Sequence, residues 1–475
     1  MKIGKILSRV LFSKVLVFIT GMFLYTKPLV SQPVFSINER CFIDLLLHYV
    51  PTSDDMKALL YDQADKADRV DQIAINHISQ KLVQKLDIKL DQTTHIPLFD
   101  AYSRLRDTIP YLPCVDLPTP VQKLTHMGKK IDCVSLYIKR DDLTGSLDSQ
   151  NKRRFGGNKP RKLSFILADA LAKGAKSVLT FGCAGSNHVV ATASCAAAYD
   201  LPCIAMLQPQ PNSQVVRRNL RLMAQYGTQI IWSQNRTERD KNVIFTYLKN
   251  KELGAGYPYP IPTGGSSPLG ALGFVNAAYE LKKQIIDGLM PEPDLIYVAT
   301  GSCGTAAGLI VGCALAQLKT RVIAVATSPE DFPGQYSQGI AALCNNTIAL
   351  LRSHDDIIPA LSWDPENIQT WSVNTGFSGT QYGLFTPEGV AAVSLIRETE
   401  TITLDGVYTG KACAALCQDG MNGDLKNKVV LFWNTFCGNP LELGLDQTNT
   451  LNNKHVLPKE AYAFFTDPVQ PLDQK

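Results

Sequence analysis

The glycine-rich stretch from Gly156 to Leu163 holds a lysine in a setting that suits covalent chemistry. Two glycines allow a sharp turn beside a ligand, and Lys159 stands directly before Pro160, which favours the first turn of a helix. A lysine held at such a turn can be buried and lose pKa, which makes its amine a nucleophile. Because basic residues surround it, an ordinary solvated lysine is the alternative explanation for this loop alone.

Two other loops suit the binding of an anionic group. Ser186 and Asn187 follow a β-rich run and precede a clear helical pattern, and both are favoured N-cap types. The N–H groups at a helix start attract carboxylates and phosphates. A second loop before an Ala-rich helix is typical of a phosphate cradle: Gly301, Ser302, Cys303, Gly304 and Thr305. Its spacing is neither the Walker pattern nor a dinucleotide fingerprint, so neither ATP nor NAD is indicated.

Each of these loops also has a plainer explanation. Helix capping alone would account for Ser186 and Asn187, a tight strand–helix turn for residues 301–305, and packing for His188. Further hydroxyl groups stand in loops near the C-terminus, in Tyr382, Tyr408 and Thr435. We expect all these loops at one edge of a sheet, so together they indicate a site more strongly than any one of them.

The elements that must position these loops alternate between strands and helices from about Tyr102 onward. Strands are predicted at residues 136–140, 177–181, 203–207, 229–232, 295–299, 322–326 and 429–433. Helices are predicted between them, at residues 160–173, 188–199, 213–226, 269–283 and 305–318. This alternation predicts an α/β fold with mostly parallel sheets, whose ligands bind at the carboxyl ends of strands.

Composition narrows the class of protein. The chain has 475 residues, 45% of them apolar and 19% charged, which excludes disordered and collagen-like classes. The 47 basic residues nearly balance the 43 acidic ones, and no basic face is found beyond residue 40, so a nucleic-acid partner is not indicated. Twelve cysteines without a CxxC pair and seven scattered histidines show no metal-ligand pattern, so no metal is predicted.

Residues 1–37 contain no acidic residue and carry an apolar run from Val15 to Tyr25 with basic flanks. The run is shorter than the ~20 residues of a membrane span but suits the core of a signal peptide. A signal or short anchor, an organelle presequence or interfacial helix, and no targeting role all stay open. Membrane contact is expected only through this segment, and a cytoplasmic location is favoured.

The loops together resemble a known family. The stretch Ile138–Thr144, followed by Gly156–Leu163, resembles the D-cysteine desulfhydrase / 1-aminocyclopropane-1-carboxylate deaminase family. This family belongs to the tryptophan synthase β-like, fold type II enzymes that use pyridoxal 5'-phosphate (PLP). Further matching motifs follow in order, and the resemblance covers about Arg104 to Asn439: Ser186 to His188, Gly264 to Ser267, Gly301 to Leu309, and Val407 to Ala412.

The resemblance implies a domain organisation. Two open, mostly parallel α/β domains would hold PLP in the cleft between them, within a catalytic region of residues 101–445. A smaller α/β domain at about residues 163–262 would be inserted in the larger one. The other two segments lie outside the resemblance. Apolar positions at helical spacing predict an accessory helical extension at residues 38–100, and composition predicts a polar tail at residues 446–475. A homodimer is expected from the resemblance only.

The resemblance also implies roles in cofactor binding. Lys159 would hold PLP as a Schiff base, and the loop from Gly301 to Thr305 would bind its phosphate through backbone N–H groups. Asn187 would bond the ring hydroxyl of PLP. Thr435 would place its hydroxyl beside the pyridine nitrogen.

Substrate and catalytic roles follow in the same way. Ser186, Asn187 and His188 would face the substrate carboxylate or the reacting carbon, and Tyr382 and Tyr408 would be the active-site tyrosines. The implied reaction is β-elimination from a small amino acid, above all D-cysteine to pyruvate, ammonia and hydrogen sulfide. The freed amine of the lysine would act as the base for the α-proton, and PLP would delocalise the resulting charge.

One position bears on the choice within the family. The ring-opening deaminases carry Glu after the second tyrosine, where this chain has Thr409, and the threonine favours the desulfhydrase branch. The chain departs from the family at Asn434, Phe436 and Cys303, and at an insertion from Gly145 to Phe155. Deaminase-like or other PLP chemistry on a small amino acid is therefore one alternative. A PLP-fold binding protein without catalysis is the other.

Overall fold

The computed structural model describes residues 95–147, 153–253, 256–366, 369–438 and 457–473. The predicted targeting segment and nearly all of the predicted accessory helical segment lie outside the described residues. Within these ranges, no helix combines the length and the apolar character that crossing a membrane requires.

The strands and helices follow one another along the chain as the alternation predicts. In the described ranges the strands are β1 Val121–Lys123, β2 Ser135–Lys139, β3 Val178–Cys183, β4 Cys203–Gln208, β5 Gln229–Trp232, β6 Tyr259–Ile261, β7 Leu295–Thr300, β8 Arg321–Ala326, β9 Trp371–Asn374 and β10 Val429–Trp433. The helices are α1 Pro97–Ala101, α2 Arg104–Thr108, α3 Thr125–Lys130, α4 Lys159–Ala172, α5 Asn187–Ala197, α6 Gln214–Gln225, α7 Arg236–Glu252, α8 Pro268–Ile286, α9 Gly304–Leu315, α10 Gln335–His354, α11 Pro387–Glu400, α12 Thr409–Met421 and α13 Lys459–Thr466. Short 3₁₀ turns lie at Asp141–Leu143, Thr263–Gly265 and Pro471–Asp473.

The described strands form two sheets. One has six strands in the order β1-β2-β10-β7-β8-β9, and the other has four in the order β5-β4-β3-β6. In the first sheet β1 pairs antiparallel with β2 and the remaining pairs are parallel. In the second, β3, β4 and β5 are parallel. The predicted α/β class with mostly parallel sheets is thus confirmed.

Contacts within the chain divide it into two compact units. The described part of the larger unit falls within residues 95–169, 178–232 and 260–473, and it includes every residue of the site described below. The described part of the smaller unit includes α7, and the ring of Tyr247 in this helix lies 5.9 Å from that of Tyr257, which follows the helix. The four-stranded sheet comes from residues 178–261, inside the region predicted as the inserted domain. The domain boundaries themselves stay a prediction.

Hydroxyl caps start several of the helices. A Ser or Thr side chain accepts a hydrogen bond from the backbone N–H three residues later at the starts of α5, α6, α8 and α11, and thereby satisfies a donor that the helix cannot. The four caps are Ser186, Ser213, Ser267 and Thr386. The short polar residues between strands and helices therefore set where each helix begins.

The core of the larger sheet is apolar and closely packed. Every residue of β7 is buried, as expected for a central parallel strand covered on both faces. Helices α8 and α9 approach closely because Gly308 has no side chain: a Cβ there would lie 2.4 Å from the carbonyl oxygen of Ala271. This contact fixes α9, and with it the loop that precedes α9.

A buried ion network lies in the same core. Arg161 of α4 contacts Asp141 Oδ1 at 2.7 Å and Glu280 Oε2 at 2.8 Å, and Lys139 contacts the same glutamate. Burial alone would raise the pKa of Glu280, but the charges of Arg161 and Lys139 outweigh it and lower that pKa to about 2. The indole Nε1 of Trp433 donates to Asp141 Oδ2 at 2.8 Å. The network joins α4, which begins with Lys159, to β2, α8 and β10.

Candidate active site

The turn before α4 is held by its backbone. Gly157 has a φ of +86°, and a Cβ on it would lie 2.7 Å from the carbonyl oxygen of Thr435, so this position requires glycine. Its N–H donates to the carbonyl of Asp141 at 3.0 Å, and the N–H of Asn158 donates to the carbonyl of Thr435 at 3.1 Å. The turn therefore places Lys159 at the carboxyl end of β10.

The Lys159 amine is joined by hydrogen bonds to the loop that precedes α9. Its Nζ donates to Asn158 Oδ1 at 2.9 Å, and Asn158 Nδ2 donates to Thr305 Oγ1 at 2.9 Å. Burial lowers the pKa of Lys159 to about 8, and the charge of Asp405 opposes this only in part. The amine is therefore neutral at a much lower pH than a solvated lysine would be, which suits a nucleophile or a base.

The loop from Gly301 to Thr305 turns sharply into α9. Cys303 has a φ of +66° at the helix N-cap, a conformation that is uncommon for a residue with a side chain. The N–H of Gly304 donates to Ser266 Oγ at 3.1 Å, and the hydroxyls of Ser266 and Ser302 lie 2.8 Å apart. The loop thus presents hydroxyl groups and helix-start N–H groups together, which is the chemistry of an anion site.

Lys162 adds a buried amine beside this loop. Its Nζ donates to the carbonyl of Gly264 at 3.1 Å and lies 3.4 Å from Ser266 Oγ. Burial is the main cause that lowers the pKa of Lys162 well below its ordinary value, and the charge of Lys159 lowers it further. We did not single out Lys162 from the sequence. Its position three residues after Lys159, on the same face of α4, is the signal that could have identified it.

Ser186 and Asn187 begin α5 at the carboxyl end of β3. Ser186 Oγ accepts the N–H of Val189 at 3.3 Å, and its own hydrogen can still be donated. Asn187 Oδ1 accepts from Asn219 Nδ2 at 2.8 Å, which leaves the other end of the Asn187 amide to donate. The helix-start N–H groups and these two side chains could bind a carboxylate.

His188 is buried, and a Cβ on Gly265 would lie 3.5 Å from its Cε1 atom. Its Nε2 lies 2.9 Å from Thr180 Oγ1, and its Nδ1 has no hydrogen-bond partner among the described residues. Burial and then the charges of Lys159 and Lys162 lower the pKa of His188 well below its ordinary value. The imidazole is therefore neutral. It can contact a substrate through hydrogen bonding but cannot act as a permanent cation.

Tyr382 and Tyr408 form a hydroxyl pair. Their oxygen atoms lie 2.6 Å apart and their rings meet edge to face. Burial raises the pKa of both phenols, and the proximity of Tyr408 raises that of Tyr382 further. A Cβ on Gly301 would lie 3.4 Å from the ring of Tyr408, so the pair adjoins the loop before α9. Both hydroxyls stay protonated near neutral pH and can donate.

Asp405 organises the start of α12. Its carboxylate accepts the N–H groups of Val407, Tyr408 and Thr409 at 2.9 to 3.1 Å. It also accepts the Thr409 hydroxyl at 2.6 Å, and that hydroxyl in turn accepts the N–H of Asp405 at 2.9 Å. The hydroxyl of Thr409 therefore makes both of these hydrogen bonds with Asp405. We missed Asp405 in the sequence, although an acidic residue ahead of an Ala-rich helix is a capping signal.

Phe436, at a position where the resemblance leads us to expect glycine, is buried beside a guanidinium group. The guanidinium of Arg218 lies 5.2 Å from the ring centre of Phe436 and 5.8 Å from that of Phe155, at the end of the insertion. Arg218 Nε also donates to Asn219 Oδ1 at 3.1 Å. These departures from the family are thus packed together around Arg218.

The chain is similar to known proteins over the region that contains this site. Residues 115–435 match the family described as pyridoxal-phosphate dependent enzyme, more than half of the chain. The chain belongs to that family and uses PLP as its cofactor. It is an enzyme of the fold type II class.

Individual relatives are similar over most of their length. The D-cysteine desulfhydrase of Serratia proteamaculans is 34% identical over 314 residues, covering 65% of this chain and 87% of the relative. The D-cysteine desulfhydrase of Yersinia enterocolitica is 33% identical over 317 residues, covering 66% and 88%. A crystal structure of an ACC deaminase homologue superposes with a TM-score of 0.60 at 30% identity, covering 73% of this chain and 96% of that one.

The residues present fit this cofactor. A Cβ on Gly304 would lie 2.4 Å from Ser266 Oγ and 2.9 Å from Lys162 Nζ, so the glycine keeps a small space open between a hydroxyl and a buried amine. A phosphate there would favour the charged form of Lys162, whose amine contacts the neutral oxygens of Gly264 and Ser266. Among the described residues no cluster of three His, Cys, Asp or Glu side chains could hold a metal ion.

Proposed function

We propose that this chain is a PLP-dependent lyase that catalyses β-elimination from a small amino acid, with D-cysteine as the principal substrate. D-Cysteine and one water would give pyruvate, ammonia and hydrogen sulfide. The observation that carries this proposal is the engagement of Thr409 with Asp405, because it bears on the choice between two chemistries in one family.

The surroundings of Thr409 disfavour a carboxylate at this position, which distinguishes the deaminases. Its hydroxyl both donates to and accepts from Asp405, and the residue is fully buried. A glutamate there would set a second carboxylate against Asp405 in a buried place, where like charges repel strongly. The local structure therefore supports the desulfhydrase chemistry over ring-opening deamination.

The residues at the site have complementary tasks in this proposal. PLP, when bound, supplies the electron sink that stabilises negative charge at the substrate Cα. Lys159 holds the cofactor and, once free, accepts the Cα proton at Nζ, for which its lowered pKa is suited. Ser186 and the N–H groups at the start of α5 bind the substrate carboxylate. Thiolate leaves from Cβ, and water converts the remaining enamine to pyruvate and ammonia.

The cofactor contacts stay as the family resemblance has them. The loop from Gly301 to Thr305 would bind the phosphate, and Asn187 would donate to the ring hydroxyl oxygen. Thr435 would place its hydroxyl beside the pyridine nitrogen. Lys162, which the resemblance did not include, would add a donor to the phosphate. His188, being neutral, lines the substrate side of the site, and Tyr382 and Tyr408 donate hydrogen bonds during proton transfer.

A second candidate function is ring-opening deamination of 1-aminocyclopropane-1-carboxylate. It is favoured by one observation, the similarity to the structure of an ACC deaminase homologue.

We further propose a cytoplasmic homodimer. In the described ranges eleven cysteines form no disulfide, and most of them are buried, which agrees with a reducing compartment.

The test combines spectroscopy and product assay on the purified full-length protein. We expect a near-visible absorbance band from the bound cofactor that changes on addition of D-cysteine, with sulfide and pyruvate released in equal amounts. The same assay with L-cysteine and with 1-aminocyclopropane-1-carboxylate ranks the substrates. The Lys159→Ala variant is the matched control and should lose both the covalent band and turnover.

The outcomes separate the candidates. A band with no product from any cysteine, but ammonia from the cyclopropane substrate, would replace the desulfhydrase by the deaminase. A band without turnover of any amino acid would favour a binding protein that has kept the fold.

A further inference from the structure

The C-terminal segment from Leu457 to Asp473 lies outside the part of the chain that matches the family, yet it contacts the site. The sequence showed no pattern there beyond a polar tail, whereas the structure has α13 and a 3₁₀ turn. Leu457 and Ala461 are buried, so the segment is packed on the rest of the larger unit. Its position raises the question of what it does for the site.

The segment is attached to the loop before α6 and to α6 itself. Asn212 Nδ2 donates to the carbonyls of Phe464 and Asp467, both at 2.9 Å. Arg217 donates to the same two carbonyls at 2.8 and 2.7 Å. These carbonyls belong to the end of α13, where cations and amide donors are favourable. The rings of Phe464 and Trp232 lie 5.8 Å apart.

Gln470 extends from this segment to the loop that carries Tyr382. Its Nε2 donates to the carbonyl of Gly383 at 3.1 Å, and its Oε1 accepts the N–H of Phe385 at 2.7 Å. Its own N–H donates to the carbonyl of Asn212 at 3.0 Å. One side chain, only 9% exposed, therefore satisfies one carbonyl and one N–H of the turn that follows the tyrosine.

The same turn adjoins the substrate side of the site. Gly383 has a φ of +86°, and a Cβ on it would lie 3.1 Å from Pro211 Cδ. Gln210, next to this proline, accepts the N–H of Gly185 at 2.9 Å through Oε1, and Gly185 precedes Ser186. The Tyr382 loop, the loop before α6 and the start of α5 are therefore in continuous contact.

We propose that Gln470 is a positioning residue for Tyr382, through which the C-terminal segment completes the active site. The inference rests on the proposed role of Tyr382 in the reaction. Gln470 fixes the 383–385 turn and so holds the Tyr382 hydroxyl at 2.6 Å from that of Tyr408. Without the Gln470 side chain, the turn loses two buried hydrogen bonds and Tyr382 samples other positions.

The test is a double-mutant cycle on the full-length holoenzyme. Gln470→Ala should lower kcat by about tenfold, the effect of losing one or two modest hydrogen bonds, with the cofactor band unchanged. In a Tyr382→Phe background the same substitution should cause no further fall. Gln470→Glu keeps an acceptor for the Phe385 N–H but places a carboxylate oxygen against the Gly383 carbonyl, which repels it. This variant should therefore behave like Gln470→Ala. Equal falls in both backgrounds would overturn the proposal.

Hydrogen exchange gives a readout that does not depend on turnover. The Phe385 amide should exchange at least tenfold faster in Gln470→Ala, while Arg221→Ala, which removes only a contact 5.0 Å from the Phe465 ring, should leave it unchanged. Unchanged exchange in Gln470→Ala would show that Gln470 does not hold the 383–385 turn and would overturn the proposal. Faster exchange in a protein that turns over no amino acid would support the contact of Gln470 with the turn and contradict only the proposed reaction.

Discussion

Asn219 donates from Nδ2 to Oδ1 of Asn187 at 2.8 Å, and this bond determines which end of the Asn187 amide is left to donate. The orientation of Asn219 is fixed because Arg218 Nε can only donate to its Oδ1, and the carbonyl of Gly185 can only accept from its Nδ2. Asn187 must therefore turn its own Nδ2 away from Asn219. In the proposed site that group is a donor to the cofactor ring oxygen.

Reversing the polarity of residue 219 should change the electronics of the cofactor. In Asn219→Asp the side chain can only accept, so Asn187 must turn its Nδ2 toward it and lose the donor to the cofactor. A hydrogen bond to a charged oxygen contributes about 1.5–3 kcal/mol, or about one to two pH units. We expect the apparent pKa of the bound cofactor, from the pH titration of its near-visible band, to rise by that amount.

The control for this prediction is Asn219→Ala. It removes the orienting bond without imposing the opposite polarity, so the cofactor pKa should rise less than in Asn219→Asp. Equal pKa values in all three proteins would mean that Asn187 does not donate to the cofactor.

Lys162 should bind the phosphate group and not the ring. Lys162→Met should weaken PLP binding by about 10- to 100-fold, the effect of losing a charged hydrogen bond, and should leave the binding of pyridoxal unchanged. Titration of the apoprotein with both compounds measures this. Lys411→Met is the matched control, because Lys411 is also buried but donates to the carbonyls of Thr327 and Ser378. An equal loss of affinity for both compounds in Lys162→Met would contradict the assignment.

Much of the fold could be predicted because strand and helix periodicities are local. β5 and β10 have the predicted bounds, and the site loops follow strands because parallel strands share one carboxyl edge. Short elements with little pattern of their own, such as β6 and β9, escaped prediction. Their strand character comes from pairing within a sheet, which the local sequence does not reveal.

The site was predictable in its loops but not in its supports. Lys159, Asn187 and the loop from Gly301 to Thr305 stand in recognisable settings of turns and helix starts. Gln470 could not be found, because the polar groups that it contacts lie more than 80 residues earlier in the chain and no spacing connects them. The predicted roles of individual site residues stay predictions.

The lowered pKa of Lys159 should set the pH dependence of cofactor attachment. A pKa of about 8 means that the reactive neutral amine becomes the main form above pH 8, whereas a solvated lysine, with its ordinary pKa of 10.5, would need a far more alkaline medium. The rate at which the apoprotein acquires the covalent near-visible band should therefore rise with pH with a midpoint of about 8. A midpoint near 10.5 would show that Lys159 is the ordinary solvated lysine of the alternative explanation.

Glu280 should stabilise the fold through the buried ion network, and the effect should depend on pH in a defined direction. Its pKa is about 2 in the folded protein against an ordinary value of 4.5, so its stabilisation is full above pH 4.5 and is lost as the pH falls toward 2. Glu280→Gln leaves Arg161 and Lys139 with one carboxylate fewer, at a cost of about 3–5 kcal/mol near neutral pH.

Urea unfolding of the PLP-saturated protein tests this prediction. The difference in unfolding free energy between wild type and Glu280→Gln should be constant above about pH 5 and shrink below it. On the same helix, Lys283 pairs with Asp287 at the surface, and Lys283→Ala should change stability by less than about 1 kcal/mol. A Glu280→Gln effect no larger than that of Lys283→Ala would mean that the buried network contributes no more than an exposed ion pair. The attachment of α4, and of Lys159 at its start, would then depend on apolar packing alone.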